Sequence, residues 1–154
     1  MMLYLDNAAT TLKKPLLVYA TLFKSTLFSG GNAGRGGHKM SMDAVRAIVD
    51  TQDLIAQLFN IKKAENIVFT QNATYALNTA ILGTMSNGGH IVVTEMDHNS
   101  VLRPACLPGN YTVVKADKSG YVHAEDVEKA VRKDTKLIVC THAVSYTHLT
   151  LPTT

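Results

Sequence analysis

Apolar and polar positions follow two rhythms along this chain. Tyr4-Leu5-Asp6-Asn7-Ala8-Ala9-Thr10-Thr11 reads as a short extended segment followed by a polar turn. Leu16, Leu17, Ala20, Phe23 and Leu27 then recur at helical spacing. Pro15 suits the first turn of that helix, where a missing N–H costs nothing. Residues 29–38 form a loop with glycines at 30, 31, 34, 36 and 37. Ser41 is the expected N-cap of the next helix, with Asp43 in its first turn. Its apolar stripe is Val45, Ile48, Ile55, Leu58 and Phe59.

From residue 66 the rhythm changes to short β-rich runs alternating with helices. Strands are predicted over 67–69, 91–93, 111–114 and 137–140. Helices are predicted over 73–85, 99–107 (limited by Pro104) and 124–132, with a turn at 117–120. This alternation predicts an α/β fold with a parallel sheet, and solidly apolar strands predict helices on both of its faces. No internal repeat is visible.

Composition narrows the picture. The chain has 154 residues, 46% hydrophobic and 18% charged, which excludes a disordered tail. A net charge of +3, evenly spread, gives no reason to expect nucleic acid. Apolar runs are too short for a membrane span, and Met1 to Asp6 lacks the pattern of a signal peptide. Cys106 and Cys140 make no disulfide framework, so a reducing, cytoplasmic setting is expected. Both cysteines sit in apolar context and are expected to be buried and inert.

Open parallel sheets bind ligands at the carboxyl ends of their strands. Thr70-Gln71-Asn72-Ala73-Thr74 follows one strand and enters a helix, a setting for phosphate on free N–H groups and the Thr74 hydroxyl. Asn72 or Thr74 as a simple helix cap is the alternative. His98 follows the next strand and could stack on a ring or carry a proton, or be an ordinary loop histidine. Thr141-His142-Ala143 joins the same edge. A phosphate-bearing cofactor with a flat ring fits such a convergence. The glycine loop follows a helix and lacks dinucleotide or Walker spacing, and the six histidines show no metal-binding pattern.

Several segments resemble the cysteine desulfurase-like, class V aminotransferase family. They are the Tyr4–Thr11 segment, Gly34-Arg35-Gly36-Gly37-His38-Lys39-Met40-Ser41, Phe69-Thr70-Gln71-Asn72-Ala73-Thr74-Tyr75-Ala76-Leu77-Asn78, Glu95-Met96-Asp97-His98-Asn99-Ser100 and residues 135–143, in the family's order. The resemblance implies the PLP-dependent type I transferase fold, here an incomplete large domain with a parallel-rich sheet flanked by helices. It implies pyridoxal 5′-phosphate (PLP) as cofactor, its phosphate held by Thr74 and the backbone of Ala73, its ring stacked on His98. His98 would also help move protons. Asn7, Ala8, Arg35 and His38 would lie near the substrate or a partner subunit. The implied reaction removes sulfur from L-cysteine, giving alanine and an enzyme persulfide, in a homodimer that would hand sulfur to an acceptor protein.

The family's ring-nitrogen aspartate, Schiff-base lysine and persulfide cysteine all come after the His142 region and are missing here. Lys39 precedes the phosphate loop and Asp97 comes too early, so neither inherits a role, nor do Cys106 and Cys140. The expected division is an arm at 1–14, the front of the large domain at 15–143, and a tail at 144–154. That tail is uncharged and breaks the alternation. Val144-Ser145-Tyr146-Thr147-His148-Leu149 is similar to one reading frame of a transposase adapter used in sequencing libraries, so a non-native tail is expected. The alternatives are a class V aminotransferase or lyase for another amino acid, a non-enzymatic phosphate-binding α/β module, and a dimerisation fragment.

Overall fold

The helical stripe after Pro15 becomes α1, Leu16–Phe28. The computed structural model describes residue 4, residue 7, residues 10–28 and residues 30–141. They divide into two units, one holding residues 4, 11–28 and 30–69 and the other residues 7, 10 and 70–141.

In the first unit the glycine loop leads into α2, Lys39–Leu58. The N-cap is His38, not Ser41: its Nδ1 accepts the Ser41 N–H at 3.3 Å. Ser41 instead lies buried in the first turn. Its hydroxyl sits 2.8 Å from Asn32 O, 2.9 Å from Gly36 O and 3.1 Å from Arg35 O. One proton thus serves three loop carbonyls. Gly31 passes so close to Met40 and Ser41 that a Cβ there would overlap their backbone. α2 ends on Asn60 in the left-handed region (φ 53°), with Ile61 N–H donating to Ala56 O at 2.8 Å. A 3₁₀ turn, Ala64–Asn66, follows.

The predicted strand at 67–69 does not form. These residues pair with no strand among the described residues, and Val68 and Phe69 stay exposed. A strand exists only through a hydrogen-bonded neighbour, which an apolar run cannot supply for itself.

The second unit contains α3 (Ala73–Met85), β1 (His90–Thr94), α4 (Asn99–Cys106), β2 (Tyr111–Val114), α5 (Ala124–Ala130) and β3 (Thr135–Ile138). The sheet order is β2-β1-β3, all parallel. β3 starts two residues earlier than predicted, and its register against β1 shifts between His90 and Ile91. Ile81 and Met85 of α3, Ile91 and Val93 of β1, and Val101 and Ala105 of α4 form the core. The turn after β2 is built on Asp117, whose Oδ1 accepts from Ser119 N, Ser119 Oγ and Tyr121 N.

His90, fully buried at the start of β1, ties the three strands together. Its Nδ1 lies 2.8 Å from the Thr135 hydroxyl and its Nε2 2.9 Å from the Thr112 hydroxyl. Burial lowers its pKa; Arg132 pushes the same way and Asp134 opposes.

Candidate functional site

Asn72 caps α3: its extended backbone lets Oδ1 accept the Tyr75 N–H at 3.0 Å. Thr70 Oγ1 donates to Asn72 O at 2.9 Å and steadies the entry. Capping is therefore done by Asn72, and the Thr74 hydroxyl has no partner among the described residues. The Asn72 side chain leaves the N–H groups of Ala73 and Thr74 unclaimed.

His98 caps α4 in the same way. Its Nδ1 accepts from Ser100 N–H at 3.1 Å and lies 2.9 Å from Ser100 Oγ. A backbone amide only donates, so Nδ1 carries the lone pair and the proton sits on Nε2. The helix cap thereby fixes the tautomer.

Thr74, Asn78, His98, Ser100 and Arg103 line one groove of about 330 Å³. The structure brings Thr74 and His98 together; Ala73 stands beside them in the same helical turn. Asn78 and Arg103, which sequence reasoning did not single out, complete the groove. The Asn78 amide donates to Thr74 O at 2.8 Å and to Ser100 O at 3.3 Å.

Asp97 is buried and structural. Its carboxylate accepts from Thr94 N at 2.7 Å, Thr94 Oγ1 at 2.9 Å and Thr141 Oγ1 at 2.5 Å. This binds the end of β1 to the residues after β3. Cys106 and Cys140 are exposed, not buried as expected. Each lies at the end of its element, Cys106 as the last residue of α4 and Cys140 beyond β3, where packing no longer covers it. Partial desolvation, with Asp97 nearby, raises the Cys140 thiol pKa, which disfavours the thiolate.

Arg35 and His38 belong to the first unit, where His38 caps α2 and the Arg35 carbonyl faces Ser41. Asn7 is exposed in a turn; Ala8 and His142 lie outside the described residues. Among the described residues no cluster of His, Cys, Asp or Glu could hold a metal, and no helix is long and apolar enough to cross a membrane.

Comparison with known proteins gives this geometry a family. The family described as "Aminotransferase class-V" matches residues 3–152. The chain belongs to it. Among class V relatives, a "Probable cysteine desulfurase" of Aeropyrum pernix is 33% identical over 97% of this chain and 38% of its own length. "Cysteine desulfurase IscS" of Dictyoglomus turgidum is 33% identical over 91% of this chain and 37% of its own. Solved structures superpose on the chain as well. A "NIFS-LIKE PROTEIN" gives a TM-score of 0.81 at 25% identity, covering 94% of this chain and 41% of that one. "SspA in complex with cysteine" gives 0.79 at 26% identity, covering 92% and 42%. The chain thus spans about two fifths of the relatives it matches. Its fold is the α/β type I transferase fold of the resemblance, with part of the large domain and its parallel sheet flanked by helices.

Proposed function

We propose that this chain is the front portion of a PLP-dependent cysteine desulfurase, which takes sulfur from L-cysteine to leave alanine and an enzyme persulfide. The convergence of Thr74 and His98 on one groove carries the reading. The residues fit the cofactor. α3 has no acidic residue in its first turn, so the partial positive charge of its N-terminus is unopposed. The N–H groups of Ala73 and Thr74, with the Thr74 hydroxyl, supply donors for a phosphate. His98 is anchored through Nδ1, which leaves its ring face and Nε2 proton for a flat heterocycle.

When bound, PLP supplies the electron sink for breaking bonds at the substrate's α-carbon. The chain's own part is to bind and orient. Thr74 and Ala73 hold the phosphate end, and His98 stacks on the ring and holds a proton at Nε2. Asn7, Ala8, Arg35 and His38 face the substrate or the partner subunit. The parent enzyme works as a cytoplasmic homodimer that passes sulfur to an acceptor protein. Residues 1–14 are its arm, 15–143 the front of its large domain, and 144–154 a non-native tail.

The decisive experiment is to sequence source DNA across codon 143 and express the full reading frame. The expected product carries a downstream aspartate and then a lysine. It binds PLP and converts L-cysteine to alanine, leaving a persulfide on the enzyme that an added thiol reductant releases as sulfide, and Thr74→Ala weakens PLP uptake. A complete frame without that lysine, or genomic codons identical to 144–154, would defeat the corresponding part of the reading. Turnover of another amino acid in place of cysteine would favour a different class V enzyme. The 154-residue chain by itself is expected to be inactive, and borohydride with PLP should trap no adduct at one defined lysine.

A further inference from the structure

Pro104 sits inside α4, buried among the helix's packed residues. A proline at this position has no N–H for the carbonyl four residues earlier, that of Ser100. An unpaired carbonyl in a packed helix costs free energy, so a partner is expected. It comes from the neighbouring helix: Asn78 Nδ2 lies 3.3 Å from Ser100 O. The same nitrogen lies 2.8 Å from Thr74 O. The two hydrogens of one carboxamide thus reach the first turn of α3 and the first turn of α4. Those turns begin beside Thr74 and His98, the two side chains assigned to the cofactor.

We propose that Asn78 is a positioning residue that clasps these two turns and sets the separation of Thr74 from His98. The proposal rests on the reading of that groove as the PLP site. Pro104 creates the acceptor and Asn78 fills it, so the pair acts as a lock between helices where ordinary helical bonding would leave them independent. An ionised aspartate at 78 would have no donor for either carbonyl, so the clasp requires the carboxamide's two hydrogens.

The test is a cycle of Asn78→Ala and Pro104→Ala, singly and together, in the full-length gene product. It reads the melting temperature of the apo-protein and the dissociation constant for PLP. Alanine at 104 restores an N–H to Ser100 O, so the stability loss caused by Asn78→Ala should shrink by more than half in that background. PLP binding should behave differently: Asn78→Ala should weaken it on the order of tenfold in both backgrounds, because the link between helices is still cut.

Loss of the binding effect in the Pro104→Ala background would overturn the proposal, since Asn78 would then only satisfy a carbonyl. Unchanged binding in both backgrounds would overturn it too, while leaving the PLP reading intact. Should Asn78→Ala alone fail to fold, Pro104→Ala against the double variant gives the same decision. A wild-type protein that takes up no PLP would overturn the cofactor reading and the positioning role with it.

Discussion

α1 and β1 are both strongly apolar, yet they meet opposite fates. Every residue of β1 is buried. No residue of α1 is, and Leu16 is 85% exposed. β1 lies between two parallel neighbours and under α3 and α4. Apolar content therefore does not decide burial; available partners do. A strand that receives a neighbour on each edge becomes a core, while a helix with apolar residues on every side needs surface from elsewhere.

Four measurements can break or sharpen this contrast. The largest effect is expected in the core: Ile91→Ala should cost about 2–5 kcal/mol in urea unfolding. Phe23→Ala in α1 should stay within about 0.5 kcal/mol. Equal costs would mean that α1 is covered in solution. Next comes Ser41, the polar counter-example in the helical unit. Ser41→Ala should lose about 1–3 kcal/mol, because three loop carbonyls share its hydroxyl. A neutral result would show that water replaces it.

A third, smaller effect should appear with pH. The pKa of His90 is lowered in the fold, so below about 6.5 the unfolded chain binds the proton more readily. The stability His90 contributes is complete above that pH and declines as the pH falls. Melting temperatures taken between pH 8 and pH 5 should drop, and His90→Gln should flatten the slope.

The smallest effect concerns Asp117. Hydrogen bonds from Ser119, then Tyr121, lower its pKa from 3.8 to about 2. Its contribution is present above pH 3.8 and fades toward pH 2. Asp117→Asn should make that acid limb slightly shallower.

Much of this was legible beforehand. The α3 bounds, 73–85, follow from apolar spacing after Asn72, and the parallel sheet follows from strand–helix alternation. Thr74 and His98, each a few residues beyond an apolar run, line one groove. Other features depend on partners remote in sequence. Residues 67–69 carry a strand's composition but have no paired neighbour among the described residues. His38 displaced Ser41 as a cap because an imidazole nitrogen can accept an amide proton as a carboxylate does, and Ser41 was claimed by the loop. From local pattern alone Pro104 limits the helix. It is carried inside α4 because Asn78, on another helix, reaches Ser100, a pairing with no local signature.

The strand order has a consequence for how the chain is made. β1 is translated before either of its neighbours, and β3, its second, is the last of the three to appear. Synthesis from Thr94 to Ile138 takes a few seconds at ordinary elongation speed. Throughout that interval the nascent chain presents Ile91, Val92 and Val93 with one edge or both unpaired. A chaperone that captures bare apolar strands on the ribosome would find its window here, and the window shuts when β3 emerges.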